Sequence, residues 1–167
     1  RDLVDSSLYS PSPTKRASLG ANTLIATRRG CPYNCGFCGA QTVWTRKIRT
    51  RKPEFVVKEI EECVGKHGIQ SFNFTDEFFT GNKKRVLEIC RLICERGLDI
   101  SWVCSARAQR LDKETLFAMK EAGCHEISFG IESGNPEILK RIDKDLDLDE
   151  AQRVIRLTKK EGIISHA

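Results

Sequence analysis

An α/β fold of parallel strands is what this sequence predicts, and three observations carry the expectation. Short apolar runs alternate with longer amphipathic ones, the alternation recurs about every thirty residues, and glycine punctuates the ends of the longer runs. Parallel strands need a crossover connection, so this rhythm reads as successive βαβ units.

Thr23–Thr27 (TLIAT) is the first strand. Residues Pro53–His67 form a helix, with Pro in its first turn, Val56, Val57, Ile60, Cys63 and Val64 at helical spacing, and Gly68 just past its end. Ile69–Phe74 (IQSFNF) is the second strand. Asn82–Gly97 repeats the helical pattern through Val86, Leu87, Cys90, Ile93 and Cys94. Asp99–Ser105 is the third strand, and Asp112 caps a helix running to Ala122 before Gly123. His125–Ile131 is the fourth strand, Asp149–Glu161 the next helix, and Gly162–Ser165 the fifth strand. A short turn at Pro136–Arg141 belongs to the last connection. Such a series winds into an open sheet or curls toward a barrel, and in a barrel the chemistry gathers where strands end and loops begin.

Composition fits one domain with a real core: 167 residues, 40% hydrophobic and 31% charged. No run is apolar enough to span a membrane, and no cleavable signal segment is visible. Eight cysteines in such a chain fit a reducing compartment, so a cytoplasmic location is expected. The net charge of +5 is modest and does not by itself predict nucleic-acid binding. Residues 1–22 are rich in Ser and Pro and read as a linker, with the folded core at 23–167. The start at Arg1 and the stop at Ala167 suggest a piece of a longer protein.

The strand ends select the candidate site. After the first strand come Cys31, Cys35 and Cys38; after the second, Thr75, Asp76 and Glu77; after the third, Ser105 and Arg107; after the fourth, Glu132 and Ser133. All are expected on one rim. Three thiolates at C-x3-C-x2-C spacing suit an iron-sulfur cluster, because soft ligands on one loop can wrap one compact body and leave one iron open. The competing reading is a zinc site completed by Cys63 or His67.

With Phe37 before the third cysteine, the stretches RGCPYNCGFC, FTDEFF, WVCSAR and AGCHEISFGIESGNPEIL resemble the radical S-adenosylmethionine superfamily, most closely the subgroup with a cobalamin-binding domain ahead of the core. The resemblance runs from Leu24 to the C-terminus. It implies an incomplete (β/α) partial TIM barrel, about five strands of an expected six, with residues 1–22 leading from an N-terminal cobalamin-binding domain. It implies a [4Fe-4S] cluster on Cys31, Cys35 and Cys38 whose open iron chelates S-adenosylmethionine, reductive cleavage to a 5'-deoxyadenosyl radical, and an electron donor such as flavodoxin or ferredoxin. Phe37 would meet the adenine through its backbone, and Asp76 and Glu77 the methionine ammonium. Ser105, Arg107 and Glu132 would meet the ribose or the methionine carboxylate. Thr75-Asp76 stands where the family usually has two glycines.

The implied reaction is cobalamin-dependent methyl transfer or a related rearrangement of a small molecule. A tRNA methylthiotransferase is the alternative, and a zinc-stabilised binding module the minor one. Cys63, Cys90 and Cys94 are expected in helix cores, and Cys104 and Cys124 packed in or beside strands, as small hydrophobes. His67 and His125 receive no role. The basic run Arg46–Lys52 reads as a solvated loop, with RNA or an anionic substrate as its minority partner.

Overall fold

The structure is a computed structural model that describes residues 22–109 and 111–167. The expected linker therefore lies outside the described residues, apart from Asn22. Five parallel strands form one sheet in the order β1-β4-β5-β6-β7. They are β1 (Asn22–Ile25), β4 (Ser71–Phe74), β5 (Ser101–Ala106), β6 (Cys124–Phe129) and β7 (Ile164–His166). The strand order follows the chain order, as right-handed βαβ crossovers placed side by side produce. All five expected strands are present, with no end more than two residues from its expected place.

The crossovers are α2 (Pro53–His67), α3 (Lys83–Glu95), α4 (Lys113–Glu121), and α5 (Pro136–Arg141) with α6 (Leu148–Lys160). Side-chain oxygens of Asn82, Asp112, Asn135 and Asp147 accept amide protons at the starts of α3, α4, α5 and α6. Each satisfies a donor that the first helical turn leaves without an intrahelical partner.

Strand residues alternate between two environments. Ile25, Phe72, Phe74, Trp102, Cys104, Ala106, Cys124, Ile127 and Phe129 join the buried core with Val56, Val57 and Ile60 of α2 and Val86, Ile89, Cys90 and Ile93 of α3. Trp102 is its centre, 4.8 Å from Phe74 and 5.5 Å from Phe79 between ring centroids. Ser71, Asn73, Ser101, Ser105 and Ser128 on the alternate positions are only partly buried or exposed. One face of the sheet is thus covered by helices, while the other carries these partly exposed polar residues together with Leu24, Val103 and Glu126, of which the last two are buried.

Two elements have no counterpart in the sequence expectations. A short helix α1 (Ala40–Trp44) follows the cysteines, and β2 (Arg28–Arg29) pairs antiparallel with β3 (Arg49–Thr50). The run Arg46–Lys52 is exposed as expected, yet part of it is this ribbon. Gly30 makes the crossing possible: its φ is +88°, and a Cβ there would stand 2.3 Å from the Lys47 carbonyl oxygen.

The cysteines sort with one correction. Cys63, Cys90, Cys104 and Cys124 are buried, whereas Cys94, expected in the core, is exposed. At the end of α3 the helix turns that position past the edge of its neighbours, so helical spacing alone overcounted the buried face. All eight cysteines are free thiols. Among the described residues no helix is long and apolar enough to cross a membrane.

Candidate cofactor site at the cysteine rim

Parallel pairing puts the ends of β1, β4, β5 and β6 on one side of the molecule, so the expected rim exists. The segment Cys31–Cys38 leaves β2 with Cys35 buried, Cys31 half-buried and Cys38 exposed. The Cys38 amide donates to the Cys35 carbonyl at 3.0 Å, which closes a tight turn between the second and third thiols. Among the described residues, no three His, Cys, Asp or Glu side chains converge as a single metal ion requires. Cys63, one of the two residues named to complete a zinc site, is fully buried in the core.

Asp76 fixes where the cysteine segment begins. Its Oδ1 accepts from the amides of Thr27 at 2.6 Å and Arg28 at 3.0 Å, and its Oδ2 accepts from the Thr27 hydroxyl. With 2% of its surface exposed, it is a structural carboxylate that ties the exit of β1 to the loop after β4. Arg85 of α3 donates to the Thr27 carbonyl at 2.9 Å. Burial lowers the pKa of that guanidinium and Asp76 opposes the shift.

Glu77 differs from its neighbour. Its Oε2 is buried and has no hydrogen-bond partner among the described residues. A buried acceptor without a donor costs about 1–3 kcal/mol, so such an atom points to a missing partner. The next residue, Phe78, meets the Tyr33 ring of the cysteine segment edge-on at 5.6 Å, which brings the two loops together.

Arg107 follows β5 and reaches the same segment. Its Nη1 donates to Cys35 Sγ across 3.6 Å, its Nε to Gln109 Oε1 at 3.4 Å, and its Nη2 to the Asp145 carbonyl. The guanidinium also lies 3.7 Å from the centroid of the Tyr33 ring. Ser105, one turn of the pleat earlier, is exposed and sits opposite Ser128 in register.

After β6, Glu132 holds a left-handed φ of 67° and accepts from Lys144 Nζ at 3.0 Å. Lys144 is 8% exposed and stands 5.6 Å over the ring of Phe37, itself half exposed. The connection between α5 and α6 thus supplies Ile142, whose carbonyl accepts the Gly36 amide at 2.8 Å, and also Lys144 and Asp145. Sequence reasoning missed this connection, along with Tyr33 and Gln41. Gln41 of α1 donates to the Tyr33 carbonyl at 2.8 Å and pins the loop from its outer side. Tyr33 was visible as an aromatic between the first two cysteines, but nothing in RIDKDLD marked Lys144 or Asp145.

The remaining buried cysteines belong to another chemistry. Burial pushes the thiols of Cys90 and Cys124 upward, with Cys104 adding to the shift at Cys124, so they stay protonated.

These features define a parallel α/β core with a three-thiol loop buttressed at one strand-end rim. The sequence pattern of the Radical SAM superfamily matches residues 25–166, and the chain belongs to that family. An uncharacterized methyltransferase of Pyrococcus horikoshii is 38% identical over 140 residues, covering 84% of this chain and 30% of that protein. The anaerobic magnesium-protoporphyrin IX monomethyl ester cyclase of Rubrivivax gelatinosus is 33% identical over 141 residues, covering 83% of this chain and 25% of the cyclase. The solved structure of the cobalamin-dependent S-adenosylmethionine radical enzyme OxsB, with aqua-cobalamin and S-adenosylmethionine bound, matches at a TM-score of 0.75 and 26% identity, over 87% of this chain and 23% of OxsB. The chain spans 25–30% of the length of these two curated relatives.

Proposed function

We propose that this chain is the radical-generating core of a cobalamin-dependent S-adenosylmethionine methyltransferase, or of an enzyme performing a related rearrangement on a small molecule. Cys31, Cys35 and Cys38 would hold a [4Fe-4S] cluster, and the donor set fits: three thiols in one loop, kept apart from the buried protonated ones. When bound, the cluster supplies one electron for cleaving S-adenosylmethionine to a 5'-deoxyadenosyl radical.

The observation that carries the reading is the orphaned Glu77 Oε2, whose neighbour Phe78 packs on Tyr33 of the buttressed cysteine loop. It is a ready acceptor for the methionine ammonium, and a charge-assisted hydrogen bond would remove its desolvation cost. Asp76 supports from behind, because its oxygens already receive three hydrogen bonds. Phe37 would meet the adenine, Ser105 the ribose or the methionine carboxylate, and Glu132 the ribose while Lys144 holds it in place. Cobalamin would be carried by a domain preceding residues 1–22, and an electron donor such as flavodoxin or ferredoxin would reduce the cluster. A reducing, cytoplasmic compartment suits eight free thiols. The methyltransferase of Pyrococcus horikoshii and the cobalamin-dependent OxsB among the similar proteins favour this reading over tRNA methylthiolation.

Anaerobic loading of the full-length protein tests this. Glu77→Gln should keep the cluster and bind S-adenosylmethionine roughly tenfold to a hundredfold more weakly, the value of one charged hydrogen bond. Unchanged binding in that variant would remove Glu77 from the site.

A further inference from the structure

The family resemblance would send Arg107 to the ribose or carboxylate of S-adenosylmethionine, but its side chain is engaged elsewhere. It is 6% exposed, and its three nitrogens donate to Gln109, Asp145 and the sulfur of Cys35. Its flat face covers the Tyr33 ring at 3.7 Å. Guanidinium is the one cation able to do all of this at once, being planar, permanently charged and rich in divergent donors.

We propose that Arg107 is the positioning residue of the cysteine loop and sets the redox properties of the cluster that loop carries. The inference rests on the reading of Cys31, Cys35 and Cys38 as cluster ligands. Two physical consequences follow from the contacts.

Arg107 acts first as a clasp. It joins the end of β5, the α5–α6 connection and the cysteine segment, and a second link from the Gly36 amide to the Ile142 carbonyl runs parallel to it. Stacking of a cation on a partly desolvated aromatic ring adds to the hydrogen bonds. Iron held by a fastened loop is released more slowly.

Its charge acts second. Reduction adds an electron to the cluster, and a positive donor on a ligand sulfur stabilises the more negative state. Arg107 therefore favours the reduced form before any S-adenosylmethionine binds. A residue that only touched the bound cosubstrate would leave the resting enzyme's potential and iron retention unchanged.

The test compares full-length wild type, Arg107→Met and Arg107→Lys, loaded with iron and sulfide under anaerobic conditions and kept free of S-adenosylmethionine. Iron per chain, release of iron to a chelator, thermal melting and the dye-mediated reduction midpoint are measured. Arg107→Met should lose iron at least tenfold faster. Its ratio of reduced to oxidised cluster at a fixed potential should fall about tenfold, equivalent to about 59 mV for one electron. Arg107→Lys should recover much of the midpoint, because the charge remains, but little of the retention, because ammonium cannot stack on Tyr33 and bridge to Asp145 together. If Arg107→Met and Arg107→Lys both fail to load while both melt like wild type, the clasp is upheld. Wild-type midpoint and wild-type retention in Arg107→Met would overturn the proposal. A wild-type protein that loads no iron would instead sink the reading of the loop itself, and the role of Arg107 with it.

Discussion

At the scale of single residues, the adjacent carboxylates Asp76 and Glu77 show how far sequence reaches. Both stood at a strand end and both were expected to meet an ammonium. Only coordinates separate the one saturated by amides from the one with a bare oxygen. Asp76→Ala should therefore cost about 2–3 kcal/mol of stability, since it strands the buried amides of Thr27 and Arg28. Glu77→Ala should be neutral or stabilising in the absence of cosubstrate. Chemical denaturation of the two variants checks the contrast, and equal losses would refute it. The cysteines sort the same way. Cys63→Ala should lower stability by about 1 kcal/mol or more and leave iron loading intact, whereas Cys35→Ala should abolish loading. Periodicity placed Cys63 and Cys90 correctly because they face the sheet, and misplaced Cys94 because a helix end has fewer neighbours.

At the scale of elements, strands and long helices were legible because burying one face imposes a period of two or 3.6 residues. The β2–β3 ribbon and α1 were not, since two-residue strands and a five-residue helix without buried side chains leave no periodic trace. The Asp112 cap was legible and carries a pH dependence. Partial burial raises its pKa, but hydrogen bonds from Lys83 and from Thr115 prevail and hold it down to about 2. A carboxylate lowered on folding stabilises fully above its unfolded pKa of about 3.9 and loses that contribution as pH falls through its folded value. Asp112→Ala should cost about 1 kcal/mol at neutral pH, and the cost should shrink steadily as pH falls below about 4 and through 2. Solvent exposure of the Lys83 pair keeps its share small. Melting curves across that range would expose a flat difference, which would contradict the cap.

At the scale of the whole molecule, the parallel order of the sheet was readable and the mixed character of its second face was not. The described sheet has two edges, β1 and β7, each paired on one side. Unpaired strand edges template association, so the 167-residue chain alone should self-associate with concentration in sedimentation velocity. A monomer at all concentrations would mean the edges are protected. The rim, by contrast, follows from topology: once the strands are parallel, the loops bearing Cys35, Glu77, Arg107 and Glu132 must share one side. The central claim is that this rim binds an iron-sulfur cluster for S-adenosylmethionine cleavage, and anaerobic reconstitution with a 5'-deoxyadenosine assay tests it most directly. The full-length protein should take up about four irons per chain and form 5'-deoxyadenosine when reduced, and Cys35→Ala should do neither. A colourless protein that holds one zinc and never cleaves S-adenosylmethionine would contradict the claim.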